Sequence, residues 1–396
     1  MRQLIRRNAN IIGLASGSIM GQGAYFCASA FIVAQGWLVQ QAQLSLIFSL
    51  TTLFLWFVDF STSTILARML NSSEFTKIML IISAVRIRLT AWCLLVIFLV
   101  VSAYISEIEN KWHFFWLATL QGLLWIFNLS GYFDGTKRNA IAGPVASINW
   151  FLVSWYLLLQ SHIGSEQVLF AYYIFSFGSI VTVVIHWVIF FFMEKNLHVS
   201  REIYFVISFR DAFALSIGSM SAQAYPRAIL SFVYYALSPA LAGIISFVKT
   251  ALNGVNLIVS IIRRHDLIEL TKSSDWRIGS IFKIQRNSLA VGFLGYIFSL
   301  MLVMMVGYSR FEGYAHLVVL FHVASVLWLV SSALYQKLIA SGLYSQYSKG
   351  ILLSVLINLG CAFLLSLLIG VWAIPFAEIF MCIFQYLYYK AIQNEH

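Results

Sequence analysis

Charge is what this chain has least of. Only 10% of its 396 residues are Asp, Glu, Lys or Arg, while 61% are hydrophobic. A soluble domain carries about a quarter charged residues. The scarcity excludes a water-soluble fold and leaves a protein embedded in a membrane. Cysteine is scarce too: Cys27, Cys93, Cys361 and Cys382 fall in apolar stretches without metal-ligand spacing. They read as buried free thiols, and neither a metal centre nor disulfides are expected. There is no Gly-rich loop closing on Lys-Ser/Thr, which excludes an ATP-driven pump within this chain. No potassium-filter-like sequence occurs, and no cofactor is implied.

What is present is a series of uncharged runs, at 8–58, 139–165, 167–193, 287–309, 313–336 and 350–377. A bilayer core needs about 20 apolar residues of helix, whereas a barrel shows weaker ten-residue alternation. The expected fold is therefore all-α and polytopic. Twelve transmembrane helices are expected at 10–35, 44–66, 85–106, 113–133, 142–160, 168–193, 212–236, 240–262, 287–308, 314–336, 350–370 and 372–392. The first is taken as uncleaved: Ala28-Ser-Ala30 resembles a signal-peptidase site, but the apolar region before it is long and another span follows at once.

Lys and Arg set the orientation. With the N-terminus inside, 21 of the 25 fall on the cytoplasmic side; Lys111 and Arg310 fall outside, and Arg227 and Lys249 lie within helices. Both termini are then cytoplasmic. The net charge of +10 reflects this retention in short loops flanked by anionic headgroups rather than a nucleic-acid partner. The outward loops are all short, with only Glu107, Glu109, Glu166 and Glu312 as acids, which argues against a membrane polymerase with a catalytic outer loop. Longer connections are cytoplasmic, at 194–211 and 263–286.

The halves begin alike: Leu14-Ala-Ser-Gly17-Ser18-Ile-Met-Gly-Gln22 and Leu215-Ser-Ile-Gly218-Ser219-Met-Ser-Ala-Gln223 share Leu, Gly, Ser and Gln at an offset of 201 residues. Such repeats build transporters that hold substrate at the repeat interface. The expected division is a six-helix bundle over 1–193, a cytoplasmic linker over 194–211 and a second bundle over 212–396. The linker mixes Ile203, Phe205, Val206 and Phe209 with Arg201, Glu202 and Arg210, so it reads either as a surface amphipathic helix or as a plain loop. Gln22 and Gln223, closing the two copies, are candidate substrate-binding amides.

An ionisable group at the centre of a spanning helix costs about 2.5–3.5 kcal/mol, so each needs a partner or a wet cavity. Arg227 follows Pro226 in the seventh helix, and Lys249 lies in the eighth. Helical rise puts both roughly 13–15 Å below the outer surface. Two cations at one depth suit a phosphate or pyrophosphate between them; otherwise they snorkel apart. Asp59 could pair with a basic residue of the inner cluster or bind a coupling cation. Glu378 could pair with Lys249 or Arg227, or carry a proton. His316 and His322 serve either as a proton relay or as packed, hydrogen-bonded histidines. Arg68, Lys77, Arg86 and Arg88 crowd the inner mouth, where they either satisfy topology or form an electrostatic entrance.

Three segments carry a family likeness. Val58-Asp59-Phe60-Ser61-Thr62-Ser63-Thr64-Ile65-Leu66-Ala67-Arg68 resembles the helix-two ending of polysaccharide flippases, an Asp-Phe-Gly followed by small residues and an Arg, with Ser61 replacing the Gly. Gln336-Lys337-Leu338-Ile339-Ala340-Ser341-Gly342 is similar to their helix-ten ending, and Tyr225-Pro226-Arg227 to their helix seven. The chain thus resembles the Wzx-type O-antigen flippases of the multidrug/oligosaccharidyl-lipid/polysaccharide (MOP) exporter superfamily. The likeness implies two six-helix bundles about a V-shaped central cavity, in a bacterial inner membrane. It also implies an undecaprenyl-pyrophosphate-linked repeat unit carried outward by alternating access, without catalysis. Asp59, Arg68 and Arg227 carry over by motif position. Membrane lipids, a polysaccharide polymerase and a chain-length regulator would be the partners. Alternatives are a lipid II flippase, which usually has fourteen helices, and a drug or cation exporter, which wants acidic, aromatic-lined sites.

Overall fold

The computed structural model describes residue 17 and residues 20–72, 76–105, 111–136, 138–194, 207–311 and 313–395. No strand occurs among them. In chain order the helices are α1 Met20–Ala34, α2 Leu38–Asp59, α3 Thr62–Ser72, α4 Lys77–Ile105, α5 Lys111–Trp125, α6 Ser130–Gly135, α7 Asn139–Ala146, α8 Ile148–Leu158, α9 Ser165–Met193, α10 Phe209–Phe232, α11 Pro239–Lys272, α12 Ile278–Ile284, α13 Arg286–Gly307, α14 Ala315–Ala340, α15 Tyr344–Ile369 and α16 Ala373–Gln393. Among the described residues, seven segments are long and apolar enough to cross a membrane, the last of them comprising α15 and α16. This is a multi-pass membrane protein.

The side chains are distributed as a bilayer demands. On α9 the inward face carries Tyr172, Ser176, Ser179, Thr182 and His186 at helical spacing, all buried. Its outward face exposes Phe170, Phe177, Val184, Val188 and Phe191. The usual polarity of an amphipathic helix is reversed because the surrounding solvent is lipid.

Several expected spans are interrupted. The span at 44–66 starts earlier, at Leu38, and breaks after Asp59, where Phe60 and Ser61 take φ of +48° and +56°. Asp59 makes the break by ending one helix and capping the next. Its carboxylate accepts from the Ser63 hydroxyl (2.6 Å) and backbone N–H (3.3 Å), and its carbonyl accepts from the Thr62 hydroxyl (2.6 Å). The spans at 113–133 and 142–160 are each drawn as two helices, the first interrupted where Asn128 Oδ1 takes the Ser130 N–H (2.9 Å). The second breaks at Ser147, shortly after Pro144. By contrast α11 runs ten residues past the expected end at 262. Lys337 on α14 donates to the carbonyls of Leu270 (3.2 Å) and Ser273, satisfying the end of α11.

The chain packs as two units, one of Met1–Tyr25 with Ile47–Ser216 and one of Phe26–Leu46 with Ile217–His396. In the first, Tyr25, Phe48, Trp150 and Phe175 form an aromatic cluster with centroids 4.9–5.7 Å apart. Phe60 stacks at 5.3 Å on Phe209, the opening residue of α10; the greater part of the 194–211 linker lies outside the described residues. In the second unit, residues 26–46 pack closely on α11. Phe26 stacks on Phe247 at 5.5 Å, and a Cβ at Gly243 would meet the Leu38 carbonyl at 2.0 Å. Only glycine permits that approach.

The repeated motifs make corresponding contacts. The Gly17 carbonyl accepts from the Ser147 hydroxyl, and a Cβ at Gly218 would meet Ser348 Oγ at 2.8 Å. Ser147 and Ser348 are themselves separated by the repeat offset of 201. Leu14, Ser18 and the cytoplasmic N-terminus expected from charge lie outside the described residues.

Candidate functional site: two buried ion pairs

The first unit holds Asp59 and Arg88. Arg88 sits on α4 with its side chain 2% exposed, and its Nη2 lies 2.7 Å from Asp59 Oδ1. The guanidinium also donates to Thr62 Oγ1 (2.7 Å), Ser63 Oγ (2.8 Å), and the carbonyls of Ile126 (3.3 Å) and Asn128 (2.5 Å). Every partner lies at a helix break, α2–α3 or α5–α6. Breaking a helix inside a membrane exposes carbonyls that need donors, and the planar fork of Arg supplies several at once. Of the two alternatives for the basic cluster, an electrostatic entrance does not hold for Arg88, which is sealed between the helix breaks. Asp59 takes the pairing role of its two alternatives.

Other members of that cluster are more open. Arg68 on α3 is exposed and Arg86 on α4 is half-buried. Lys77 reaches Glu194, just beyond α9, at 2.7 Å; Arg138 lies 3.8 Å from the same oxygen, and the Tyr132 hydroxyl donates to it. Burial pushes the Glu194 carboxyl up, but the Lys77 and Tyr132 hydrogen bonds and the two cations outweigh it, and the net shift is down. In the loop before α12, hydrogen bonds from Arg277 and Ser280 hold the Asp275 carboxyl well below the usual range.

The second unit holds Lys249 and Glu378. Lys249 Nζ on α11 lies 2.6 Å from both carboxylate oxygens of Glu378 on α16. The ammonium also lies 4.6 Å above the Phe321 ring on α14. Tyr225, on α10, lies in the electrostatic neighbourhood of the same carboxylate. The lysine side chain is 25% exposed and the glutamate 7%. Of the alternatives open for Glu378, the structure draws the pairing with Lys249. The anion expected between two cations is, for Lys249, a residue of the protein itself.

Arg227 is half-buried on α10, beside the exposed Pro226. Gln22 is half-buried on α1, while the Gln223 side chain lies outside the described residues. His322 is 4% exposed, its Nδ1 2.8 Å from the Val318 carbonyl and its Nε2 3.2 Å from Ser299 Oγ, so it is a packed, hydrogen-bonded histidine. His316 is exposed. Cys382 is buried as expected, but Cys27 and Cys93 are exposed; a thiol behaves as a small apolar group and suits an outward face. No cluster of three metal-ligating side chains occurs among the described residues.

Two further buried cations had been counted with the cytoplasmic charges. Arg263 is 3% exposed and donates to Ser332 Oγ and the Leu329 carbonyl, both at 2.6 Å. Lys337 is 2% exposed at the end of α11. A count along the chain cannot separate a loop charge from one folded back into the bundle.

No family model and no curated protein sequence matches this chain. Solved structures do. The outward-facing conformation of a multidrug resistance MATE family transporter of the MOP superfamily aligns with a TM-score of 0.65 and 12% identity, covering 98% of this chain and 96% of that one. The inward-facing conformation gives 0.63 and 13%, covering 97% and 98%. A MOP superfamily transporter from Pyrococcus furiosus, described as having a binding pocket of reversed polarity that suggests a different function, gives 0.50 and 14%, covering 98% and 96%. The chain has the fold of these transporters along its whole length.

Proposed function

We propose that this protein is a transporter of the MOP superfamily that moves an anionic lipid-linked saccharide, an undecaprenyl-pyrophosphate-linked repeat unit, from the cytoplasmic to the periplasmic leaflet of a bacterial inner membrane. The observation that carries the reading is how the buried charges are spent. A drug or cation exporter needs carboxylates open to a cationic substrate. Here Asp59 and Glu378 each already hold a resident cation, at 2.7 and 2.6 Å. The accessible member of the second pair is the cation, Lys249, with Arg227 on the helix that also carries Tyr225. Positive charge near the middle of the membrane favours a diphosphate group over a cationic drug. The fold supports transport, and the resemblance of Asp59-Phe60-Ser61 and Tyr225-Pro226-Arg227 to flippase segments supports the lipid-linked substrate.

The test is complementation of a strain lacking the protein. The Arg227→Ala, Lys249→Ala double substitution is expected to abolish surface polysaccharide at normal protein level, stranding lipid-linked glycan on the cytoplasmic leaflet. Full polysaccharide in the double variant overturns the assignment.

A further inference from the structure

Resting on that reading, we infer that Glu378 is a resident counter-anion that competes with the substrate's diphosphate for Lys249, so that loading the site means exchanging one anion for another. Two features of the second unit carry this. The carboxylate is bidentate on the ammonium, both oxygens at 2.6 Å, so it occupies the position an incoming phosphate oxygen would take. The exposure is asymmetric: the lysine is 25% open and the glutamate 7%. An approaching group therefore meets the lysine side chain before the carboxylate.

Lys249 suits such an exchange. A lysine ammonium is a point charge on a flexible stem that can turn between acceptors, unlike the fixed fork of an arginine. With Glu378 in place the pair is neutral, which spares the empty protein the cost of a bare ammonium in the membrane. Loading then keeps the ammonium paired with an anion. The exchange makes Glu378 a specificity-determining residue: it rejects weak monovalent anions and yields to a diphosphate, which brings more charge and more acceptor oxygens.

The experiment is binding to full-length purified protein in nanodiscs, with inorganic pyrophosphate and an undecaprenyl diphosphate as separate probes. Glu378→Gln is expected to tighten binding by about tenfold or more, because the competitor is gone and the cation remains. Lys249→Met is expected to lose binding. The exchange K249E/E378K keeps an ion pair, so it guards against misfolding; it is expected to stay monodisperse and bind neither probe. Tightening in Glu378→Gln toward either probe supports the exchange, and tightening toward undecaprenyl diphosphate alone assigns the anion to a lipid headgroup. If Glu378→Gln binds no more tightly while Lys249→Met loses binding, the counter-anion role falls and the anionic-substrate reading stands. If Lys249→Met binds as the parent does, both fall.

Discussion

Arg88–Asp59 and Lys249–Glu378 are both acid–base pairs inside apolar bundles, yet they are built differently. Arg88 spends its guanidinium on five acceptors and is sealed, with side chains 2% and 9% exposed. Lys249 makes two hydrogen bonds, both to one carboxylate, and its side chain remains a quarter open. The first pair closes two helix breaks, and its partners are mostly backbone and small hydroxyls that cannot move without unwinding the chain. The second joins two continuous helices through side chains alone. A charge meant to hold structure is saturated from many sides, whereas one meant to be exchanged is held by one removable partner.

Truncation should separate the two most sharply. Arg88→Ala strands Asp59 and uncaps the breaks, an expected loss of about 3–5 kcal/mol, the scale for breaking a buried pair. Lys249→Ala removes a partner held through one carboxylate, at an expected cost of about 1.5–3 kcal/mol, the scale of a charged hydrogen bond. Thermal unfolding in detergent checks both, and equal losses would erase the distinction. A smaller effect of opposite sign is expected at the break itself. Ser61 sits at φ +56°, where a side chain costs roughly 1–2 kcal/mol that glycine avoids. Offset by the greater freedom of glycine in the unfolded chain, Ser61→Gly should stabilise by about 0.5–1 kcal/mol, while Ser63→Gly, which removes contacts to both Asp59 and Arg88, should destabilise.

The smallest effect concerns Glu194, a partly solvated acid to set against both buried pairs. Its carboxyl is shifted down in the folded protein, burial being outweighed by Lys77, Tyr132 and Arg138. A depressed folded pKa contributes stability that is present above the unfolded value, near 4.5, and is lost as pH falls through the folded one. The stability gap between the parent and Glu194→Gln should be constant near neutrality and close below that range; a gap that widens on acidification would refute the assignment.

The second α14 histidine and the ion pairs show where reading along the chain succeeds and where it stops. A carboxylate in an uncharged run must find a cation, so Asp59 and Glu378 could be marked as paired groups. For Glu378 the candidates were Lys249, Arg227 or a carried proton, and nothing in the spacing chose among them. Asp59 had four basic candidates, and nothing in spacing singles out Arg88 over Arg68, Lys77 or Arg86. The left-handed turn at Phe60-Ser61 was equally hidden, since the mostly polar stretch from Asp59 to Thr64 could as well have closed a continuous helix. The repeat at Gly17 and Gly218 was visible as four shared residues. Its packing partners Ser147 and Ser348 carry no signal until the helices are assembled.

The amino-acid order alone determined that this is an all-helical membrane protein and that its few interior charges had to be neutralised, because water is absent there to do it. Tertiary packing decided which acid meets which base, which cation is sealed and which stays reachable. Partners 29 and 129 residues apart are joined by helix breaks and crossings that no local pattern encodes.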